Sequence, residues 1–368
     1  MPIKFLPRYE ITSKIANYLM RIEAVKEKTM NLPITPQVLA SLRETARLYT
    51  THYSTMIEGN RLEPLQIQSI LQHAGHFPGR ERDEREVKGY YTALIQIEKW
   101  AARGVPITQT MIKELHALVM ADGRKKVQAT SYRDGQNVIK DSRTGVIVYM
   151  PPEAKDVAEL MKAMIDWTAQ SSKIPCPIVA GIVHYQFATI HPYYDGNGRT
   201  ARLLTTLILH ARGYDLKGLY SLEEYYARDL NAYYDAISIG ESHNYYMGRA
   251  QADITKWVEY VVEGMAISFE NVLKRMSDAA LQGMPDHSQL LRSIDPRQRK
   301  ALSLLQEFET ITSKQVGEIF GFQPRTSAQI CKDWVDDGFL EIVDFSNKGR
   351  KYKLAERYEA LISSVVKK

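Results

Sequence analysis

Residues 191–202 read HPYYDGNGRTAR and separate two apolar runs of helical character. PIVAGIVHYQFATI precedes the stretch and LLTTLILHARG follows it, and both are typical of buried helices. A loop with a histidine, an aspartate and two arginines is costly between core helices unless its polar groups have partners. The stretch therefore predicts a rigid helical core that holds a polar site.

Helical periodicity dominates the chain up to about residue 280. Apolar residues recur at i, i+3 and i+4 in the segments 11–28, 36–59, 85–104, 108–123, 153–170, 221–237 and 254–276. One region has a β pattern: NVIKDSRTGVIVYMPP, residues 137–152, predicts two short strands joined by a polar turn. We predict a mainly α fold, a helical bundle with one β-hairpin.

The pattern changes around ALQGMPDHSQLLRSIDP, and we place a linker at 281–294. Residues 295–368 predict three helices and a β-hairpin with a basic turn, which is typical of a winged helix. This domain carries 13 basic against 11 acidic residues, without the excess of a strong DNA binder. We favour contact with protein over contact with DNA.

The charged residues near this hairpin are compatible with either DNA or protein as the partner. Four basic residues of its turn would suit phosphate contacts, although a solvated turn is the commoner explanation: Lys348, Arg350, Lys351 and Lys353. Three acidic residues follow the predicted recognition helix: Asp333, Asp336 and Asp337. Because carboxylates repel a nucleic-acid backbone, DNA is the less favoured alternative.

Charge and cysteine content narrow the class of protein. The 48 basic residues exceed the 43 acidic ones only slightly, too little for binding nucleic acid or membranes over the whole surface. Cys176 and Cys331 match no metal-ligand spacing, so we expect reduced thiols in a cytoplasmic protein. We find no apolar signal segment in MPIKFLPRYEITSK and no run long enough to span a bilayer, and we predict no membrane partner.

The loop at 191–202 has the parts of an anion site at the start of a helix. Gly196 and Gly198 allow backbone conformations and a close approach that a side chain would block. A helix starting near Arg199 leaves unpaired N–H groups that favour an anion. Arg199 and Arg202 lie three residues apart on this first turn, and guanidinium groups suit phosphate oxygens. We infer a phosphate-binding nest.

Two further residues complete the predicted chemistry. Asp195 is the carboxylate of the loop, and a carboxylate beside bound phosphates is suited to hold Mg2+. His191 can accept a proton from a hydroxyl near neutral pH. Together these groups predict phosphoryl or nucleotidyl transfer, which depends mainly on positioning and charge neutralisation.

The stretch resembles the signature of the Fic family (filamentation induced by cAMP), H-P-F-x-D/E-G-N-G-R-x-x-R. It departs from that signature only at Tyr193, where phenylalanine is usual. The resemblance covers roughly residues 100–275, hairpin included. It implies a Fic-type helical bundle with a β-hairpin flap, in an enzyme that transfers AMP from ATP to a target hydroxyl.

The resemblance also implies roles for the residues of the loop. His191 would be the general base, Asp195 would bind Mg2+, and Arg202 would reach the γ-phosphate of ATP. Pro192 and Tyr193 would be structural. The α- and β-phosphates would be held by Arg199 and by the backbone of Gly196, Asn197 and Gly198.

A second motif lies far away in sequence, at STMIEGN, residues 54–60. Glu58 falls in the last turn of a predicted helix (about 45–59), where the helix dipole disfavours a carboxylate. Taken alone, a solvated glutamate is the simpler explanation. The motif also resembles the inhibitory motif of the Fic family, which implies that Glu58 pairs with Arg202 in place of the γ-phosphate. Ser54, one turn earlier, is placed to brace the Glu58 carboxylate.

The hairpin, residues 137–150, resembles the flap on which the family aligns a target peptide by strand addition. Val148 and Tyr149 would then lie nearest the nucleotide and the target, and an ordinary surface hairpin is the alternative. Tyr233 and Tyr234 fall where the family's nucleoside pocket lies. A core or surface role explains these two tyrosines equally well.

We therefore predict an autoinhibited protein adenylyltransferase that uses ATP and Mg2+ and modifies a Tyr, Ser or Thr hydroxyl of a protein target. Self-modification and a homodimer remain open. One alternative is a winged-helix DNA-binding regulator with a nucleotide-sensing Fic core, and another is a Fic enzyme that transfers a different phosphate-containing group. The intact set His191, Asp195, Arg199 and Arg202 favours an enzyme.

The predicted domain layout has four parts. An N-terminal helical region at 1–99 carries the inhibitory helix, and the catalytic core occupies 100–280. The linker at 281–294 then leads to the winged helix at 295–368.

Overall fold

The computed structural model describes residues 3–32, 36–72, 75–140, 144–240, 243–281, 294–344, 346, 349–359 and 361. These residues divide into two compact units: the first takes the described residues of 1–71 and 75–282, and the second takes those of 72–74 and 283–368. The first unit contains both the predicted N-terminal helical region and the predicted core. Most of the predicted linker lies outside the described residues.

The first unit is a helical bundle. Among its described residues the α-helices are α1 (Ser13–Asn31), α2 (Pro36–Ile57), α3 (Pro64–Leu71), α4 (Glu81–Ala102), α5 (Gln109–Met120), α6 (Ala154–Gln170), α7 (Cys176–Ile190), α8 (Asn197–Ala211), α9 (Leu222–Arg228), α10 (Leu230–Ile237) and α11 (Thr255–Leu281). A two-stranded antiparallel hairpin, β1 (Ile139–Lys140) and β2 (Ile147–Tyr149), precedes α6. The predicted mainly α fold is confirmed.

Two helices depart from the predicted pattern. PLQIQSIL forms α3, which we did not predict because eight residues are too short to show a clear period. The segment 221–237 was expected to be one helix but forms α9 and α10. Asp229 causes the break, since its carboxylate accepts a hydrogen bond from Ala232 N at 3.0 Å and so caps a new helix.

Helix α7 lies at the centre of the bundle and is apolar on all faces, with nearly every side chain buried. Gly181 lets α11 approach it closely, since a Cβ at this position would lie 3.2 Å from Val261 Cγ1. Trp257 of α11 donates its indole N–H to Gly181 O at 2.7 Å. Because α7 and α8 are fixed on both sides, the loop between them has a rigid support.

The second unit has its own core. Its described elements are α12 (Pro296–Glu307), β3 (Ile311–Thr312), α13 (Ser313–Phe320), α14 (Pro324–Asp336), β4 (Leu340–Asp344), β5 (Lys351–Leu354) and α15 (Glu356–Glu359). The strands form an antiparallel sheet in the order β3-β5-β4. Side chains of Trp334, Phe339 and Tyr352 contribute to the apolar cluster between helices and sheet.

The sheet of this unit includes a strand, β3, that the sequence did not predict. Lys353, one of the predicted phosphate-contacting residues, forms an ion pair with Glu341 at 3.0 Å across β4 and β5. Lys348 lies outside the described residues. The winged-helix interpretation and the choice between protein and DNA therefore stay predictions.

In the part of the chain that the structure describes, none of the helices combines the length and the hydropathy needed to cross a membrane. Cys176 and Cys331 are both buried free thiols.

Candidate functional site

The signature loop begins with a strained turn at the end of α7. His191 has a positive φ of 52°, in the left-handed region that residues other than glycine seldom adopt. Its N–H closes the helix on Phe187 O at 3.0 Å. Arg133, a buried residue, donates from Nε to His191 O at 3.0 Å and from Nη2 to Pro152 O. These hydrogen bonds stabilise the left-handed backbone conformation of His191, which is unfavourable without them.

The ring of His191 is half-buried. Burial lowers its pKa to about 4, and the charge of Arg133 acts in the same direction. The ring is therefore neutral at pH 7. Since Nδ1 faces Ala188 O at 3.4 Å, the proton belongs on Nδ1, and Nε2 keeps its lone pair.

The middle of the loop is fixed by a histidine and an asparagine. The ring of His116, from α5, stacks on Tyr193 with 3.6 Å between centroids, and its Nε2 donates to Asp195 O at 2.9 Å. Burial lowers the pKa of His116 to about 4. Asn197 accepts from Tyr193 N at 3.0 Å and donates to Tyr193 O at 2.8 Å. The Asn197 side chain therefore braces the loop, so that its backbone alone can serve a ligand.

Helix α8 begins at Asn197, two residues earlier than predicted, and directly follows the loop. Gly196 has a φ of 74°, and a Cβ there would lie 2.8 Å from Met120 Sδ. At Gly198 a Cβ would lie 2.2 Å from Glu58 Oε1. Both glycines are therefore required by close approach, one to α5 and the other to the Glu58 carboxylate.

Asp195 and Arg199 lie at the N-terminal end of this helix. The Asp195 carboxylate is more than half exposed, and its Oδ1 accepts from Gly196 N at 2.6 Å and lies 3.4 Å from Arg199 Nη2. The Arg199 side chain is almost fully buried, 3.9 Å from Glu86 Oε1, and its Nε has no partner among the described residues. Arg199 therefore retains a buried donor for an anion.

No group of three or more metal-ligating side chains is placed to hold a metal ion in the described part of the chain. A Mg2+ at Asp195 would need further oxygen ligands, such as phosphate oxygens or water. The exposed carboxylate fits that role.

Arg202, one turn further along α8, is buried and bound to α2. Its Nη2 donates to Glu58 Oε1 and to Ser54 O, both at 2.8 Å, and its Nε donates to Ser54 Oγ at 2.8 Å. Burial alone would lower the pKa of Arg202, but the charge and hydrogen bond of Glu58, together with the nearby Tyr233 and Tyr90, raise it above the usual arginine value. The structure thus brings together two motifs more than 130 residues apart in sequence.

The geometry of α2 corrects one detail of the prediction. The helix ends at Ile57, and Gly59 follows Glu58 with a φ of 90°. Ser54 was expected to brace the Glu58 carboxylate. Its hydroxyl and carbonyl instead accept hydrogen bonds from Arg202, because the side chain points across to α8.

The two flap residues lie in different environments. Val148 is exposed, whereas Tyr149 is buried and donates its hydroxyl to Thr189 O at 2.8 Å, two residues before His191. The edge of β2 away from β1 is partly paired. His243 Nδ1 donates to Val148 O at 2.8 Å, and Met150 N donates to His243 O at 2.7 Å.

A groove of about 880 Å3 adjoins this paired edge. Apolar side chains form much of its wall: Ile147, Met150, Ile239 and Met247. No residue of the signature loop lines it. The groove therefore adjoins the predicted flap and does not form part of the predicted phosphate nest.

The two predicted nucleoside-pocket tyrosines also differ. Tyr233 is buried, and its hydroxyl lies 3.0 Å from His184 Nε2, while His184 Nδ1 lies 3.0 Å from Thr205 Oγ1. Tyr234 is about half exposed and donates to Ile57 O at 3.3 Å, beside Glu58. Tyr233 thus belongs to the core behind Arg202, and Tyr234 contacts the end of α2.

Several residues of the site escaped the sequence analysis: Glu86, His116 and Arg133. Each stands in a helical or loop segment without a recognisable motif, and a lone polar residue on an apolar helix face is ordinarily a core residue with a partner. Only the tertiary structure brings these side chains to the loop.

Residues 106–209 match the family model described as Fic/DOC family. This part of the chain is similar to Fic domains. The match spans α5, the hairpin and the signature loop, and it confirms the resemblance predicted from the sequence. It does not include α2.

Known proteins support this assignment. Protein adenylyltransferase Fic of Nematostella vectensis is 29% identical over 200 residues, which are 53% of this chain and 45% of that protein. The chain spans less than half the length of the curated relatives it matches.

Two solved structures share the fold. A Fic family protein from Desulfovibrio desulfuricans G20 has a TM-score of 0.61 at 24% identity, over 96% of this chain and 99% of the other. Fic-1 from C. elegans has a TM-score of 0.57 at 25% identity, over 72% of this chain and 73% of the other. The first likeness extends into the C-terminal unit.

Proposed function

We propose that the Fic domain transfers AMP from ATP to a Tyr, Ser or Thr hydroxyl of a protein target, and that Glu58 inhibits this reaction. The transfer is supported by the geometry of the loop at 191–202 and by curated relatives named protein adenylyltransferase. The observation that carries the inhibition is the 2.8 Å contact between Glu58 and Arg202. The target would dock along the flap.

The reaction needs a base, and His191 supplies it. The target hydroxyl oxygen attacks the α-phosphorus of ATP, the bond from that phosphorus to the α,β-bridging oxygen breaks, and pyrophosphate leaves. The hydroxyl proton passes to His191 Nε2, which is unprotonated because the pKa of the ring is about 4. The strained backbone at His191 fixes where this nitrogen lies.

The phosphates need a cradle of positive charge. The first N–H groups of α8 point out of the helix start, and its dipole favours an anion there. Arg199 contributes a buried donor without a protein partner, and Arg202 would reach the γ-phosphate. Mg2+, held by Asp195 and phosphate oxygens, would neutralise charge on the triphosphate.

Glu58 blocks this arrangement by occupying the anion position of Arg202. Its Oε1 also lies where a side chain of Gly198 would begin, so the carboxylate sits at the start of α8. A γ-phosphate and this carboxylate would compete for the same donors and repel each other. ATP that bound beside Glu58 would have its α-phosphorus displaced from in-line attack.

Glu58→Gly tests the proposal directly. We expect AMP transfer to rise about tenfold or more, since a charge-assisted hydrogen bond contributes about 1.5–3 kcal/mol and each 1.4 kcal/mol is a factor of ten. Intact-mass spectrometry of the variant, incubated with ATP and Mg2+ in the presence of a cell lysate or alone, measures the modification. Glu63→Gly, an exposed position five residues further on, is the matched control.

The outcomes separate the candidate functions. A mass gain equal to AMP supports adenylylation, and a gain equal to phosphate supports transfer of another group. Equal modification of the Glu58→Gly and Glu63→Gly proteins would remove the inhibitory role. No modification together with sequence-selective DNA binding would favour the regulator.

His191→Ala in the Glu58→Gly background tests the base. We expect transfer to fall by about a hundredfold or more, the usual contribution of a positioned general base. ATP affinity, measured by calorimetry, should change little because His191 Nε2 faces the attacking hydroxyl and not the phosphates. Normal turnover by this double variant would assign the base elsewhere.

A further inference from the structure

A row of four alternating charges connects helix α4 to the signature loop. Its members are Arg82 and Glu86 of α4, Arg199 of α8 and Asp195 of the loop. Arg82 Nε donates to Glu86 Oε1 at 3.0 Å, and the same oxygen lies 3.9 Å from Arg199 Nη1. Arg199 Nη2 lies 3.4 Å from Asp195 Oδ1. One carboxylate oxygen therefore joins an arginine of α4 to an arginine of the predicted phosphate nest.

The middle of this row is buried, and its two ends are open to solvent. The side chains of Arg199 and Glu86 are 2% and 9% exposed, whereas those of Arg82 and Asp195 are 73% and 59% exposed. The exposed carboxylate is the predicted Mg2+ ligand. The exposed cation has no role so far, and α4 lies outside residues 106–209, which match the family model.

Arg82 keeps most of its hydrogen-bond donors available. Its Nε is engaged by Glu86, whereas its Nη1 and Nη2 groups have no hydrogen-bond partner among the residues that the structure describes. A guanidinium group is planar, and its free N–H groups suit the oxygens of a phosphate. Because Arg82 and Arg199 share a carboxylate oxygen, an anion held by Arg199 would lie within reach of these N–H groups.

We propose that Arg82 is a further phosphate-binding residue, which contacts the phosphates of ATP beside Arg199. This role rests on the proposed function. Without a nucleotide the row is balanced, with two cations and two carboxylates. ATP with Mg2+ brings a net negative charge to the start of α8, and the free N–H groups of Arg82 offset part of it.

The test uses the full chain with Glu58→Gly, so that inhibition is absent. Arg82→Gln is added, and calorimetry measures the binding of ATP and of ADP in the presence of Mg2+. We expect both affinities to fall about fivefold, the upper range for an exposed pair of charges. The loss should shrink as the salt concentration rises from about 0.05 M to about 0.5 M, because salt screens exposed charges.

Arg85→Gln in the same background is the matched control. Arg85 is also an exposed arginine near the start of α4, but its Nε donates to Glu81 O at 3.3 Å, within the helix. The control removes the same charge from the same helix without touching the row. We expect its ATP affinity to stay within about twofold of that of the parent, since a solvated charge at a distance is screened.

Glu86→Gln separates direct contact from an effect that passes through Glu86. If Arg82 served only to hold or neutralise this carboxylate, Arg82→Gln would change nothing once Glu86 is replaced. Direct contact with phosphate predicts that the loss of ATP affinity persists in the Glu86→Gln background. Circular dichroism melting of each variant shows whether the fold is retained.

Two results would overturn this role alone. Equal ATP affinity in the Arg82→Gln and Arg85→Gln proteins would leave Arg82 without a contact to the nucleotide, and the proposed function would stand. Disappearance of the loss in the Glu86→Gln background would show that Arg82 acts through the carboxylate and not on the phosphates. Failure of the Glu58→Gly protein itself to bind ATP would instead refute the proposed function, and this role with it.

Discussion

Gly198 shows how closely the proposed inhibitor and the phosphate nest overlap. A methyl group at this position would collide with Glu58 Oε1, at 2.2 Å. The same missing side chain would let a phosphate approach the N–H groups of the first turn of α8. One glycine would therefore serve both proposed occupants of the site, and a larger residue would exclude both.

At the residue scale, the pH dependence of transfer follows from His191. Its pKa is lowered to about 4 by burial, so the neutral base is present above that pH and is lost as the pH falls through about 4. Transfer by the Glu58→Gly protein should therefore stay constant across pH 6.5, where an ordinary histidine would be half protonated. Single-turnover rates measure this, with circular dichroism at each pH to show that the fold persists. An acidic limb centred on pH 6.5 would contradict the assignment.

At the element scale, the end of α2 is held from two sides. Asn60, a buried residue just past the helix, donates to Asp83 O at 2.9 Å and Glu86 Oε2 at 3.2 Å of α4. Tyr234 of α10 donates to Ile57 O at 3.3 Å. Glu58 thus lies between two anchored residues, and under the proposed inhibition these contacts would control how readily it leaves Arg202.

Asn60→Ala should loosen this end of the helix. The loss of a buried amide with several hydrogen bonds costs about 1–3 kcal/mol of folding free energy. We expect faster hydrogen exchange in residues 55–60 and a higher basal rate of AMP transfer in the protein that retains Glu58. Asn31→Ala is the control, since Asn31 is exposed and bonds only within α1. Unchanged exchange and transfer would show that Asn60 does not hold the end of α2.

At the scale of the whole molecule, all described site residues belong to the first unit, which has a continuous core of its own. A chain that ends at residue 282 with Glu58→Gly should therefore stay folded and transfer AMP to itself or to lysate proteins at the rate of the full-length variant. Melting curves and intact-mass spectrometry measure the two properties. A folded fragment without transfer would place an essential contribution in the C-terminal unit.

The parts of the loop could be recognised from the sequence because their spacing is local. A helix start, two glycines and two arginines within twelve residues predict an anion site before any tertiary contact is known. The helices of the bundle could be predicted from their period for the same reason. The hydrogen bonds from Arg202 to the Ser54 hydroxyl and carbonyl could not, because they depend on how α2 packs against α8.

Two tyrosines show even more clearly what the sequence alone could not predict. Tyr149 and Tyr233 were expected near the nucleotide, yet both hydroxyls are bonded inside the core, to Thr189 O and to His184. A tyrosine in a pocket wall and a tyrosine in a core cannot be told apart in the sequence. Only the packing around the side chain distinguishes the two environments. Their contact with a nucleotide stays a prediction.

The pairing of Glu58 and Arg202 within one compact unit of one chain has a kinetic consequence. A tethered competitor has a fixed effective concentration, so dilution of the protein cannot release it. If the proposed function holds, ATP would have to compete with this local concentration at every cellular level of the protein. The resting activity of each molecule would then depend on the nucleotide supply and on the end of α2, and not on how many copies the cell contains.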